Sequence, residues 1–347
     1  MKLYTDNGYL NIDYVITRNQ PYNFVIGGRG TGKTYGVLKY MIQHDIRFIY
    51  MRRTQTQLDN VCNRELSPIK PINLDLGLDI QPEVISKNAY AFVRYDQDPD
   101  DPEADPARTV IGYAIALSTI SNLRGFSAAD VEYLVYDEFI PETHEKPIRN
   151  ECDAFLNAIE TINRNRELQD QQPLKVISMA NANDFANPIF IGLGLVTKLE
   201  NLIKNHREEY IQPQRGIAIF LLQDSPISGK KQQTSLYRLT GESDYSNMAI
   251  NNIFADYDSD YIKSQDLRQY TPIVTVGELT VYRHKARTNY YISTHRTGSP
   301  PAFKPTPADL KRFKTQFRFL QITLILSSVL YETHYCQALW QKYLTMA

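Results

Sequence analysis

The stretch "FVIGGRGTGKTY", residues 24–35, joins a short apolar run to a glycine-rich loop that ends in Lys33 and Thr34. It contains the pattern Gly-x-x-x-x-Gly-Lys-[Ser/Thr], which is typical of phosphate-binding loops. In such a loop, glycines let the backbone N–H groups point inward at phosphate oxygens. The lysine reaches the β- and γ-phosphates, and the hydroxyl of the last residue ligates Mg²⁺. The predicted loop consists of Gly27, Gly28, Arg29, Gly30, Thr31, Gly32, Lys33 and Thr34.

The segments on either side of the loop are those that a phosphate-binding loop requires. Residues 23–26 have the character of a short buried strand, and an apolar stripe at helical spacing follows the loop. The stripe consists of Val37, Leu38, Met41 and Ile42. A helix that begins at the loop points its positive end at the phosphates. We therefore predict a nucleoside triphosphate site and reject an incidental glycine turn.

Composition places the chain among ordinary soluble globular proteins. Its 347 residues are 22% charged and 42% hydrophobic, and suffice for two domains. The formal net charge of −1 neither supports nor excludes a nucleic-acid partner. Cys62, Cys152 and Cys336 lack metal or redox spacing, which indicates a reducing compartment. The longest apolar run, residues 320–330, is shorter than the ~20 residues that cross a bilayer, so we expect an intracellular protein without a membrane partner.

The order of predicted elements favours an α/β fold. Over the first two hundred residues short apolar strands alternate with helical stretches, as in a parallel sheet flanked by helices. We expect an ATPase domain over residues 1–225, a polar linker or lid over 226–255, and a small α+β domain over 256–347. The predicted segments include strands at 47–51, 89–95, 110–117, 131–136, 175–179 and 217–222, and a helix at 151–167.

A second motif, "VEYLVYDEF", ends a hydrophobic strand in Asp137 and Glu138. In open parallel sheets, ligands bind at the carboxyl edge where these side chains would lie. We predict that Asp137 helps to hold Mg²⁺ and that Glu138 acts as the general base for the attacking water. An acidic pair also commonly begins a helix or loop, but the phosphate-binding loop makes the metal interpretation the stronger one.

Five further positions leave alternatives open on residue type alone. Arg164 and Arg166 either neutralise a helix end or supply an arginine finger to a neighbouring subunit. Asn181 follows a strand, where it either senses the γ-phosphate or ends the strand in a turn. Arg52 and Arg53 either contact phosphate or Glu138, or lie on the solvated surface.

Taken together and in order, these segments resemble the DNA-packaging ATPases of small tailed podophages, which are terminase-like P-loop ATPases. The segments are "FVIGGRGTGKTYG", "FIYMRR", "LVYDEFIPE", "INRNRE" and "SMANA", and they span most of residues 20–185. The stretch "LRGFSAADVEYLVYDE" adds to the similarity, whereas beyond residue 223 the likeness is weak.

The resemblance implies an additional-strand, conserved-glutamate ATPase that uses ATP and Mg²⁺ and assembles as a homomeric ring, typically of five subunits. Such a ring sits on the portal of a procapsid in the host cytoplasm and threads double-stranded DNA inward without reading its sequence. Thr34 and Asp137 match the Mg²⁺-binding pair, and Glu138 matches the catalytic glutamate. Arg164 matches the finger that acts in trans and Asn181 the polar sensor, while Arg52 or Arg53 matches an arginine near the nucleotide, for which we favour Arg53.

For residues 256–347 the resemblance implies a ribonuclease H-type domain without its metal-binding acids. We interpret Asp256, Asp258 and Asp260 as a solvated turn.

The cations predicted to contact DNA are Lys230, Lys231, Arg283, Lys285, Arg287, Lys311, Arg312, Lys314 and Arg318. Two other functions remain open: a ring DNA helicase or translocase, and a vertex adaptor that nucleotide merely locks. The resemblance also leaves open whether a packaging RNA takes part.

Overall fold

The computed structural model describes residues 1–346 except 99, 102, 124–127, 143, 144, 147, 184, 185 and 241–259. The chain forms two compact units. The first comprises Met1–Asp184 and Leu202–Ala255, and the second comprises Phe185–Asn201 and Asp256–Ala347.

The first unit is built on a nine-stranded sheet. Its strands are β1 Tyr22–Gly27, β2 Phe48–Arg52, β3 Ile80–Ser86, β4 Ala89–Asp96, β5 Ala107–Ala116, β6 Tyr133–Asp137, β7 Lys175–Ala180, β8 Glu209–Gln212 and β9 Ile217–Leu222. They are ordered β3-β4-β5-β2-β6-β7-β1-β9-β8. In this order, each neighbouring pair between β5 and β9 is parallel. Antiparallel strands extend the sheet on both sides, with β4 and β3 beyond β5 and β8 beyond β9.

One strand, β7, lies between the strand that leads into the glycine loop and the strand that ends in Asp137. Tyr22 of β1 is aligned with Val176, and Tyr133 of β6 is aligned with Lys175, both in parallel register. The additional strand that the resemblance implied is therefore present. Its carboxyl end brings Asn181 to the same sheet edge as the loop and the two acids.

In the first unit, helix α1 Ile12–Thr17 precedes β1. Between β1 and β7 lie the helices α2 Lys33–Gln43, α3 Gln55–Val61, α4 Lys70–Leu76 and α5 Glu151–Asn163. On α2 the predicted apolar stripe is the buried face, since Val37, Leu38 and Met41 are 0% exposed. This face packs with Val25, Phe48 and Tyr50 in one apolar cluster, which fixes the start of α2 at the carboxyl end of β1.

The second unit contains a five-stranded sheet and its own core. The sheet order is β13-β10-β11-β12-β14, with strands β10 Tyr270–Val276, β11 Leu279–His284, β12 Tyr290–Ser293, β13 Ala302–Phe303 and β14 Val329–Tyr331. Its helices are α6 Pro188–Leu193, α10 Pro307–Gln316, α11 Arg318–Leu326 and α12 His334–Thr345. Phe313 and Trp340 meet edge to face with their ring centroids 5.8 Å apart in the core.

Helix α7, Val196–Lys204, begins in the second unit. Glu200 and His334 form a pair 3.3 Å apart, and both side chains are almost fully buried. Ile191 of α6 packs against the apolar cluster of the second unit. The segment 185–201 therefore belongs to the second core, although it is far from the rest of that unit in sequence.

The predicted α/β fold is confirmed, with differences in detail. The predicted helix 151–167 ends at Asn163, because Arg164 and Asn165 adopt left-handed backbone angles. Strand β3, an antiparallel edge strand, was not predicted. The segment 226–255 begins with two short helices, α8 Pro226–Lys231 and α9 Ser235–Thr240. The proposed domain boundaries stay a prediction.

The assignment of residues 256–347 to a ribonuclease H-type domain also stays a prediction. Asp256 and Asp258 lie outside the described residues, and Asp260 is exposed. Among the residues that the structure covers, no cluster of three or more His, Cys, Asp or Glu side chains is arranged to hold a metal ion. Within the same residues, no helix has the length and apolar character required to cross a bilayer.

Candidate functional site

The carboxyl ends of β1, β6 and β7 meet at one edge of the large sheet, because these strands are neighbours and parallel. A cleft of about 330 Å³ opens at this edge. Its lining includes Arg29, Gly30, Gly32, Lys33, Thr34, Asp137, Glu138 and Asn181. The structure thus brings together predicted residues that are up to 152 positions apart in the sequence. A second cleft of about 320 Å³, between residues 64 and 82, contains none of them.

Two glycines of the loop are required by its geometry. Gly32 has a φ of +86°, and a Cβ at this position would stand 3.2 Å from the side chain of Tyr9. At Gly27 a Cβ would stand 2.6 Å from the Cβ of Leu222 in the adjacent strand β9. Larger residues would therefore strain the loop at one position and collide with the sheet at the other. Both constraints keep the backbone amides in a tight curve at the N-terminus of α2.

Lys33 is buried under the loop. Its Nζ donates to the carbonyl oxygens of Gly27 at 2.9 Å and Gly28 at 2.8 Å, and to Asn181 Oδ1 at 3.2 Å. Burial lowers the pKa of Lys33 to about 7, Asp137 counteracts this shift, and the positive charge of Lys231 adds to it. A buried ammonium group with only neutral acceptors at hydrogen-bonding distance is suited to bind an anion, which would restore its charge.

Thr34 and Asp137 are in direct contact. The hydroxyl of Thr34 lies 3.0 Å and 3.1 Å from the two carboxylate oxygens of Asp137. The Tyr50 hydroxyl donates to Asp137 at 2.7 Å, and Arg52 Nη1 does so at 3.1 Å. Asp137 is 4% exposed, so these contacts fix its orientation toward the loop.

These residues fit the nucleotide and the metal ion that the loop implies. Mg²⁺ prefers oxygen ligands, keeps several waters, and binds to one or two protein side chains together with phosphate oxygens. The hydroxyl of Thr34 and the carboxylate of Asp137 are two such oxygen ligands at adjacent positions. The loop amides and Lys33 supply the positive potential that phosphates need.

Glu138 follows Asp137 with a φ of +54°. This left-handed angle is uncommon for a residue with a side chain, and such strain is concentrated at functional sites. Its carboxylate is 45% exposed and forms an ion pair with Nη2 of Arg52. Arg52 is largely buried, but Tyr50, Asp137 and Glu138 outweigh the effect of burial and hold its pKa above the ordinary value. One guanidinium group therefore bridges both carboxylates of the acidic pair.

Arg53 does not reach the cleft, contrary to our expectation that it contacts the nucleotide. Its guanidinium is 0% exposed and donates to Glu151 at 2.7 Å and 3.0 Å. A further ion pair joins it to Glu145. Adjacent residues at the end of a strand point to opposite sides, so Arg52 faces the acidic pair while Arg53 faces the beginning of α5. We therefore remove Arg53 from the candidate site.

Arg29 and Asn181 lie at the cleft as predicted. Arg29 forms an ion pair with Glu142 and is partly exposed. Asn181 follows β7 and contacts Lys33, so its amide is positioned beside the predicted phosphate site. Arg124 and Gly125, in the stretch "LRGFSAADVEYLVYDE" that adds to the similarity, lie outside the described residues.

Arg164 lies at the amino ends of the parallel strands, on the side of the sheet opposite the carboxyl ends that form the cleft. Asn163 Oδ1, one position earlier, accepts from the backbone N–H of Leu174, directly before β7 begins. Arg166 donates to the carbonyl oxygens of Val131 and Ala128, which precede β6. Five residues of β6 separate the two edges by roughly 16 Å. Arg164 is exposed there, whereas the buried Arg166 supports the chain before β6.

Sequence reasoning missed two features of the site. Tyr50 holds Asp137, although nothing in "RFIYMRR" distinguishes this tyrosine from other strand residues. Lys231 Nζ lies beside the loop, 2.9 Å from the position that a Cβ at Gly30 would occupy. We had assigned Lys231 to a polar linker, and its approach to the loop depends on the long-range packing of α8.

The family described as Podovirus DNA encapsidation protein (Gp16) matches residues 5–70 and 107–296. The DNA packaging protein of Bacillus phage B103 is 27% identical over 243 residues, which cover 69% of this chain and 65% of the relative. This match therefore spans just under two thirds of the length of that curated relative.

Two solved structures share the fold along their whole length. A chain of the phi28 gp11 DNA packaging motor has a TM-score of 0.64 at 21% identity, with 98% of both chains covered. A chain of the bacteriophage phi29 viral genome packaging motor assembly has a TM-score of 0.64 at 19% identity, with 100% of both chains covered. At these identities the likeness establishes a common fold.

Proposed function

Because the chain belongs to the podovirus DNA encapsidation protein family, we propose that it hydrolyses ATP to drive double-stranded DNA into a procapsid. In this proposal it acts as a homomeric ring, of five subunits, at the portal vertex in the host cytoplasm. The DNA packaging relative from Bacillus phage B103 and the fold shared with chains of two packaging motors support the proposal.

One observation carries the catalytic part of this proposal. Thr34, Asp137 and Glu138 lie together at the mouth of the glycine loop, with 3.0 Å between the Thr34 hydroxyl and Asp137. When bound, Mg²⁺ would neutralise charge on the phosphates. Thr34 and Asp137 are the residues that would hold it. Lys33 and the loop amides bind the triphosphate.

Glu138 is the proposed general base. Its partly exposed carboxylate lies in the lining of the cleft, where it can accept a proton from water. Because Glu138 forms an ion pair with Arg52, the guanidinium has to release or share the carboxylate before Glu138 can accept the proton of the attacking water. Asn181 positions the water or the terminal phosphate through its amide group.

Arg164 is proposed to act on a neighbouring subunit. Its place at the opposite sheet edge keeps it from the nucleotide of its own chain and leaves it exposed for a partner. An arginine supplied in trans stabilises charge that develops on the transferred phosphoryl group. Each site would then be completed only by assembly, which links hydrolysis to the ring.

DNA contact is proposed to depend on phosphates alone. A subunit with a formal net charge of −1 provides no net positive charge, but a ring repeats the cations of each subunit around the pore, and contacts with the DNA backbone need no sequence reading. Of the cations predicted to contact DNA, Lys231 lies beside the glycine loop and is left out here. The other candidates are Lys230, Arg283, Lys285, Arg287, Lys311, Arg312, Lys314 and Arg318.

The test combines two measurements on the protein with procapsids and duplex DNA. We expect many ATP turnovers per subunit, stimulated by DNA, and accumulation of nuclease-resistant DNA inside the procapsids. A single turnover without DNA uptake would indicate a nucleotide-locked adaptor. Strand separation on forked DNA in place of uptake would indicate a helicase.

A further inference from the structure

Helix α8 brings a second lysine to the phosphate-binding loop. A Cβ built at Gly30 would stand 2.9 Å from Nζ and 3.1 Å from Cε of Lys231. Lys230, its neighbour on the same helix, is exposed. Of the two lysines that the sequence offers as a pair, only Lys231 is positioned at the loop.

The position of α8 is fixed by packing against the N-terminal segment. Ser225, directly before the helix, is 2% exposed and donates to the carbonyl oxygen of Gly8 at 3.0 Å. A Cβ at Gly8 would stand 2.8 Å from the backbone nitrogen of Ile227, so the two segments are in close contact. The backbone N–H of Leu10 in turn donates to the carbonyl oxygen of Thr31 at 2.9 Å. The start of α8 is therefore linked to the loop through residues 8–10.

The surroundings of Lys231 are unfavourable for an isolated cation. Burial lowers its pKa. Its Nζ lies beside Gly30, and Nζ of Lys33 contacts the carbonyl oxygens of Gly27 and Gly28 in the same loop. Within the ranges that the structure describes, no carboxylate forms an ion pair with Lys231. Two ammonium groups thus converge on one loop and repel each other. An anion between them would reverse this repulsion into attraction.

We propose that Lys231 is a phosphate-binding residue that contacts the γ-phosphate of ATP. This inference rests on the proposed function and adds to it a residue from outside the loop motif. Lysines of such loops reach the β- and γ-phosphates, and the ammonium group of Lys231 lies beside Gly30 of the same loop. Loss of the γ-phosphate would remove the contact, so hydrolysis would release the side chain of Lys231.

The experiment measures the affinities of ATP and ADP, each with Mg²⁺, by calorimetry for four proteins. These are the wild type, Lys231→Met, Lys231→Arg and Lys230→Met, where methionine keeps the length of the side chain and removes its charge. We expect Lys231→Met to weaken ATP binding about 10-fold or more, as for a lost charged hydrogen bond, and to weaken ADP binding much less. Lys231→Arg should retain most of the ATP affinity, and Lys230→Met should match the wild type.

The outcomes separate this inference from the proposed function. Failure of the wild type to bind ATP would remove the proposed function itself. Unchanged ATP affinity in Lys231→Met, or equal losses for ATP and ADP, would overturn only the role of Lys231. A loss of affinity for duplex DNA without a loss for ATP would also overturn it. Thermal unfolding of each variant checks that the fold is retained, and the comparison of ATP with ADP in one protein does not depend on overall stability.

Discussion

The hydroxyl of Thr34 and the carboxylate of Asp137 lie 3.0 Å apart although 103 positions separate them in the chain. The contact exists because β1 and β6 both flank β7 in parallel register and end at the same edge. It joins the end of the glycine loop to the acidic pair, and it places Glu138 next to the predicted metal ligands. The candidate site is thus a product of strand order.

Glu138→Gln is expected to separate ATP binding from hydrolysis. Glutamine keeps the size of the side chain but cannot accept the proton of the attacking water, so turnover should fall by ~100-fold or more. ATP affinity should change little, because the loop and Lys33 are intact. Turnover and ATP binding are measured on the same preparation, with the exposed Glu160 of α5 changed to Gln as the control. Normal turnover in Glu138→Gln would refute its role as the base.

Arg53→Ala is expected to destabilise the first unit and not to act on the nucleotide directly. Removal of a fully buried guanidinium leaves Glu151 buried without its partner, which costs about 3–5 kcal/mol. The matched control is Arg47→Ala, whose ion pair with Asp130 is exposed, and a cost below about 1 kcal/mol is expected there. Urea unfolding followed by circular dichroism gives both values. Similar values for the two variants would contradict the structural role of Arg53.

Arg164→Ala is expected to inhibit mixed rings. If each Arg164 completes a neighbour's site, variant subunits mixed with wild-type subunits should reduce packaging by more than their mole fraction. The packaging rate is measured over a series of mixing ratios, with the exposed Arg207→Ala as the control. A loss in simple proportion to the variant fraction would show that Arg164 does not act in trans.

Glu332 is expected to make the second unit sensitive to acid. Burial raises the pKa of this carboxyl, but hydrogen bonds from Ser293 and Thr294 and the nearby His295 outweigh burial and hold the pKa below its ordinary value. A carboxylate with a lowered folded-state pKa adds stability above its unfolded-state pKa, and this stability is lost as the pH falls through the folded-state value. The midpoint temperature of thermal unfolding of the wild type should therefore fall as the pH is lowered from about 5 to about 3.

The variant Glu332→Gln tests that assignment. It should be less stable than the wild type at neutral pH, and the difference should shrink as the pH falls, because the wild type then loses its carboxylate. The exposed Glu278→Gln serves as the control. A difference between Glu332→Gln and wild type that stays constant with pH would assign the acid response to other groups.

The sequence located the parts of the site that are contiguous along the chain. The loop from Gly27 to Thr34 and the pair Asp137–Glu138 are each encoded within a few residues, since one strand end and the turn after it supply all the groups. The buried stripe of α2 was likewise predicted, because helical periodicity is a local property. The alternation of strands and helices was enough to predict a parallel sheet.

Contacts between distant segments were decided only by the tertiary structure. From the sequence we favour Arg53 over Arg52 as the arginine near the nucleotide, and the structure reverses this choice, since it depends on which side of β2 the acidic pair and α5 occupy. It placed Lys231 in a linker, whereas packing of α8 against the N-terminal segment brings this lysine to the loop. Arg164 was found at the edge opposite the cleft because α5 returns antiparallel to β6. Local periodicity and hydrogen bonding determine elements and motifs, but the burial of apolar faces determines which elements become neighbours, and thereby which charges meet.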